Sequence, residues 1–246
     1  MVVKGCLLVG SVPLHDTSKV LRCCSDGLRG LLRSLPDGGT GERNCFVKFQ
    51  ADKFPPMMRS AFVDNARAAP AELTSEQIEK GQAMLKDLDL ETGYDEAAIK
   101  SYEIFKQLRH EGVVEKHVKF QVSMPTIANV IGLLIEEKFR PLVEPVYEEA
   151  LFKSLRRIQD AIPHEDLAIQ IDLGRDMAYW ENKVFQPWFA DRAHVVDYIA
   201  KMISQISPAV DLGLHYCYGK HGVVCTRSGR TITHVEPRRH ESSALY

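Results

Sequence analysis

The chain has no run of the roughly 18 uninterrupted apolar residues that a membrane-spanning helix needs, and almost no excess of charge. Against 33 acidic residues stand 31 basic ones, a formal net charge of -2 over 246 residues. So weak a field offers no attraction to nucleic acid or to an anionic membrane. It leaves a small molecule or another protein as the natural partner. Cysteine is sparse too: Cys6, Cys23, Cys24, Cys45, Cys217 and Cys225 follow no framework spacing in a chain this long. That predicts free thiols in a reducing, cytoplasmic setting. The first ten residues carry a short apolar run but lack the h-region and small-residue cleavage site of a signal peptide. They read as a first strand.

Short apolar runs alternate with longer amphipathic stretches, the pattern of βα units around a parallel sheet. Strands are predicted over 5–10, 33–35, 118–122, 167–172, 212–218 and 231–235, and helices over 18–32, 74–88, 95–110, 126–137, 143–161 and 193–206. Thr74 ahead of Glu76 and Gln77 has the chemistry of an N-cap with an acidic first turn. Residues 46–71, with Phe54-Pro55-Pro56 and Ala69-Pro70, are too long and too broken by proline for an ordinary βα connection. They read as a loop excursion over the mouth of a barrel spanning 1–237. Residues 238–246 read as a disordered tail.

Residues with chemistry fall just after the predicted strands, and in a parallel barrel those C-terminal ends share one face. His215 and Cys217, two apart on a strand, project to the same side. An imidazole and a thiolate suit zinc, and Glu236 offers an oxygen from the next strand, giving a candidate metal site. The same spacing also suits a hydrogen-bonded core histidine and a small buried hydrophobic cysteine. Asp172 is a candidate catalytic carboxylate, because a charge at the end of Ala168–Ile171 is otherwise costly near a core. Ser11, Asp37, Glu42, Arg43 and Ser123 are candidate substrate contacts. Of these, Glu42 and Arg43 would anchor an anionic or amino-acid-like group, or else form a local ion pair on a Gly-rich turn. Asp37 serves equally as a turn residue. Arg175, Asp176, Trp180 and Glu181 read as the start of a solvated helix or as lining of the mouth, Trp188 as loop packing or a stacking platform, and Tyr102 and Phe105 as core. No nucleotide-binding pattern is indicated.

Taken in order, five of these segments resemble a known superfamily. Gly10-Ser11-Val12-Pro13 is similar to the G-S-x-P that ends the first strand of the cobalamin-independent methionine synthase catalytic barrel, and His215-Tyr216-Cys217-Tyr218 to its zinc-binding H-x-C-Y. Pro36-Asp37-Gly38-Gly39-Thr40-Gly41-Glu42-Arg43 resembles the P-D-G-E-T-G-E-R of uncharacterised relatives in the same superfamily, which also contains uroporphyrinogen decarboxylase. Ser123-Met124-Pro125-Thr126 stands where that superfamily has G-P-x-T, and Gln170-Ile171-Asp172 resembles its Q-x-D strand end.

The resemblance implies a (β/α)8 TIM-barrel type fold with its site at the C-terminal strand ends. It implies zinc-assisted thiol methyl or alkyl transfer, with His215 and Cys217 as ligands, Glu236 as a third, and Asp172 facing a substrate amine. The departures are equally plain. No cysteine follows Cys225 to complete the ligand set, Gly39 replaces a glutamate, and six predicted strands fall short of eight. An incomplete barrel of about six units leaves open edges for a partner chain or second copy to cover. A metal-free decarboxylase-like or lyase-like enzyme, and a truncated non-catalytic accessory protein, are the alternatives.

Overall fold

Two segments, Lys119–Pro125 and Leu167–Leu173, combine β-branched and aromatic residues with neighbours that alternate in polarity, and they become the central strands. The computed structural model describes residues 4–63, 73–181 and 187–217. Within these the strands are β1 (Ser34–Pro36), β2 (Lys119–Pro125), β3 (Leu167–Leu173) and β4 (Asp211–Tyr216), all parallel and arranged in chain order. The helices are α1 (Thr17–Gly27), α2 (Ser75–Lys86), α3 (Tyr94–His110), α4 (Ile127–Leu134), α5 (Arg140–Ala161), α6 (Arg175–Glu181) and α7 (Ala193–Ser204). The fold is α/β, and among the described residues the sheet is not closed.

The predicted first strand does not form a continuous ladder. Residues 5–11 touch β1 and its flanks only at two parallel bridges, Cys6 with Leu32 and Ser11 with Gly38. The reason lies in two glutamines. Gln121 donates through Nε2 to the carbonyl of Leu8 at 2.9 Å, and Gln170 donates to that of Val9 at 2.6 Å, so side chains take carbonyls that a ladder would use. In a flat sheet β3 would stand three strand spacings, about 14 Å, from this segment. A glutamine cannot span that distance, so the sheet must curl toward the face carrying Gln121 and Gln170. At the opposite end Arg33 reaches Asp211 at 3.0 Å and Lys119 reaches it at 3.1 Å, across the same curve.

The other face is apolar. Leu35, Phe120, Met124, Ile169 and Ile171 are buried beneath the layer in which α3 and α4 pack on β2 and α5 packs across both. Caps delimit these helices: Thr74 and Gln77 form a reciprocal capping box on α2, and the Thr126 hydroxyl accepts from the Asn129 amide on α4. Helix α1 ends at Gly27, short of the expected residue 32, and the turn that follows has Gly30 at φ 76°. β4 is half-buried along its length with Tyr216 exposed, as befits a strand with no neighbour on its outer edge among the described residues. The predicted strand 231–235, residues 64–71 of the loop excursion and the tail 238–246 lie outside the described residues.

Asp166, just before β3, ties that strand to α3 by accepting from Tyr102 Oη at 2.6 Å and Arg109 Nη1 at 2.5 Å. Burial pushes its carboxyl up, but the two hydrogen bonds and the Arg109 charge outweigh burial and hold it below the usual carboxylate range. A carboxylate depressed in the folded state stabilises above its unfolded pKa, and that contribution is lost as pH falls through the folded value. Thermal melts across the acid range should therefore fall less steeply for Asp166→Asn than for the wild type. The slope should not vanish, because Asp211 is depressed in the same direction through Lys119 and Arg33, again against burial. An identical acid slope in the variant contradicts this assignment.

Candidate functional site

At the C-terminal ends of the strands β1 stops early, because Pro36 has no N–H to continue the ladder. Beyond it a cavity of about 290 Å³ opens between residues 9–11, the turn after β1, β2 and the ends of β3 and β4. Seven of the sequence-predicted residues line it: Ser11, Asp37, Arg43, Ser123, Asp172, His215 and Cys217. Glu42 does not; it is exposed on a short 3-10 turn, Gly41–Asn44, whose next residue faces inward instead. Glu236 lies outside the described residues.

The turn after β1 is held as a unit. Asp37 Oδ2 accepts from Arg43 at 2.6 Å and from the Ser101 hydroxyl at 2.7 Å, while Oδ1 accepts from the Gly39 amide at 3.0 Å. Asp37 is thus both a turn residue and the anchor of a guanidinium on the cavity wall. Gly38 sits at φ 85°, and a Cβ there would approach Val20 to 2.7 Å, so glycine is required where the chain swings from strand to site.

The second cluster joins β3 to β4. Asp172 Oδ1 accepts from Gln170 Nε2 at 2.8 Å and contacts His215 Nδ1 at 2.9 Å. The bond with His215 engages Nδ1 and leaves Nε2 as the nitrogen with coordinating capacity. Burial raises the Asp172 carboxyl above its ordinary value, opposed by the hydrogen bonds and charge of His215 and by Gln170. Cys217 extends the ladder through its amide, bonded to the Leu173 carbonyl at 2.8 Å, and lines the same cavity as His215. An imidazole and a thiol are donor types that zinc accepts, and here the imidazole is oriented by a carboxylate. Among the described residues no group of three or more His, Cys, Asp or Glu is arranged to hold a metal ion.

Several wall residues were not legible as site residues. Tyr94 and Ala98 come from α3, Phe46 and Val47 from the loop after the turn, and Phe120 from β2. Burial holds the Tyr94 phenol well above its usual value, helped by Tyr147 and Asp172 and opposed by Arg43, so this group stays neutral beside the charged ones. Asn129 donates to the Asp172 carbonyl at 2.6 Å and accepts from the Arg175 amide at 2.8 Å, pinning the end of β3 to α6. Its Oδ1 would lie 2.8 Å from a Cβ at Gly174, a close approach that explains the glycine after Leu173.

Asp176 departs from the solvated-helix expectation. It is fully buried and accepts from Thr126 at 2.9 Å and from Tyr198 at 2.5 Å, so it locks α4, α6 and α7 together away from solvent. Trp188 packs edge-on against Tyr179 and donates to Glu144 at 2.6 Å, a loop-packing role as expected. No family model matches the chain, and neither a curated protein nor a solved structure matches it.

Proposed function

We propose that this chain is a small-molecule enzyme of the methionine-synthase-like type, acting in its cavity by zinc-assisted thiol alkyl transfer. The fold in this reading is a parallel α/β barrel, of which the four strands and the segment at 5–11 form one curved side. Strands that neighbour one another in chain order support it, since a doubly wound sheet reverses its order at a switch point. The observation that carries the chemistry is the contact of His215 Nδ1 with Asp172, with Cys217 lining the same cavity. In that arrangement Asp172 orients the imidazole, His215 Nε2 and Cys217 Sγ hold the metal, and Glu236 is the proposed third ligand. Bound zinc would supply Lewis acidity and keep a substrate thiol as thiolate at neutral pH.

The remaining residues act on the substrate side. Asp37 and Ser101 fix Arg43 on the wall, and Gln121 and Gln170 hold residues 8–9 over the concave face. A second copy or partner chain over the edge of β4 that has no neighbour among the described residues belongs to the same proposal. A metal-free lyase is the second reading, favoured by the two-donor count among the described residues. The cavity volume argues against a tetrapyrrole-sized substrate for it, being at the lower limit of ligand pockets.

Zinc content of the full-length protein, purified without chelator, tests the proposal. About one zinc per chain is expected, falling to near zero in Cys217→Ser and His215→Ala and weakened in Asp172→Asn, since outer-shell partners typically contribute 10–100-fold to affinity. Metal-free wild-type protein would overturn it in favour of the second reading.

A further inference from the structure

The cavity wall mixes two kinds of residue, and their chemistry narrows what it can take. Part of the lining is apolar, with Phe46, Val47, Tyr94, Ala98, Phe120 and Val122. Arg43, whose side chain is about one-fifth exposed, lines the same cavity close enough to Tyr94 for its charge to act on the phenol. A guanidinium carries five N–H donors in a planar fork. Among the described residues Arg43 makes one hydrogen bond, to Asp37 Oδ2, which leaves the rest of the fork for a ligand. Asp37 in turn is shared among Arg43, Ser101 and the Gly39 amide, so its charge is distributed over three donors and the fork is rigidly placed.

Asp172 is the other carboxylate on the wall, and its Oδ1 already serves both Gln170 and His215. Arg43 therefore brings donors to a cavity that also has apolar walls, while Oδ1 of Asp172 is taken by Gln170 and His215. We propose that the ligand is a small organic carboxylate with an apolar body, its carboxylate held by Arg43 and its body against Phe46, Tyr94 and Phe120. At about 290 Å³ the space suits one ring with a short chain. The inference rests on reading this cavity as the substrate site, and it differs from an amino-acid-like ligand in requiring no ammonium.

The probes are 4-phenylbutyrate, its neutral amide and 4-phenylbutylamine, titrated into the full-length chain by calorimetry and by ligand-observed NMR. The acid is expected to bind at least about tenfold more tightly than the amide, the difference that one charge-assisted bidentate contact supplies. Arg43→Gln should abolish the difference and Arg43→Lys, which keeps the charge facing Asp37 but loses the fork, should retain part of it. Circular dichroism and zinc content measured on the same samples separate a lost contact from a lost fold or a lost metal. Equal binding of acid and amide, tighter binding of the amine, no binding by any probe, or an unchanged preference in folded Arg43→Gln would overturn the proposal. An acid preference in metal-free protein would uphold it while removing the zinc reading; zinc without an acid preference would do the reverse.

Discussion

Asp37→Ala should destabilise the fold by about 2–4 kcal/mol, among the largest effects of any single polar substitution in the chain. The side chain makes three hydrogen bonds, to Arg43, Ser101 and the Gly39 amide. Its loss strands a guanidinium whose side chain is about four-fifths buried, together with a buried serine hydroxyl. Breaking a buried pair by removing one partner costs about 3–5 kcal/mol, and the figure here is lower because Arg43 keeps some contact with water. Arg43→Met should cost less than Asp37→Ala, since Asp37 retains two donors. The double variant should be less destabilised than the sum of the two. Denaturant unfolding measures all three, and strict additivity would contradict the coupling.

Phe120→Ala should cost about 3–5 kcal/mol, the range for deleting a buried ring from a packed core. Phe120 is 1% exposed and lies 5.3 Å from Phe105 and 5.8 Å from Tyr102, centroid to centroid. It also borders the cavity, so the variant enlarges the cavity as well as loosening the sheet from α3. Phe120→Leu should recover most of the stability by keeping the volume filled. A loss below about 1 kcal/mol in Phe120→Ala would mean that β2 is not packed against α3 as described.

The central strands were legible because local pattern and tertiary role agree. The apolar alternation in Ala168–Asp172 places Ile169 and Ile171 in the core and leaves Gln170 and Asp172 on the concave face. The cap at Thr74 was visible for the same reason, since its partner lies three residues away. What escaped depended on distant residues. Segment 5–11 has strand composition, yet glutamines more than 110 positions away take its carbonyls.

Asp176 looks like any first-turn acid until Tyr198, 22 residues on, and Thr126, 50 residues back, close over it. Glu42 and Arg43 share one motif, but a tight turn sends only the second toward Asp37. The grouping of Ser11, Asp37, Ser123, Asp172, His215 and Cys217 around one cavity follows from the parallel topology, which gathers strand ends at one rim. The part of the wall that α3 supplies, Tyr94 and Ala98, was beyond reach, because no periodicity tells which helix residue closes which cavity.

X-ray absorption at the zinc edge of the full-length protein tests the central claim most directly, because it reports the donor atoms themselves. The account predicts bound zinc with a sulfur neighbour at about 2.3 Å and nitrogen or oxygen neighbours at about 2.0–2.2 Å. The sulfur shell should be absent in any metal retained by Cys217→Ser. Zinc surrounded only by nitrogen and oxygen in the wild type, or protein that holds no zinc at all, would contradict it.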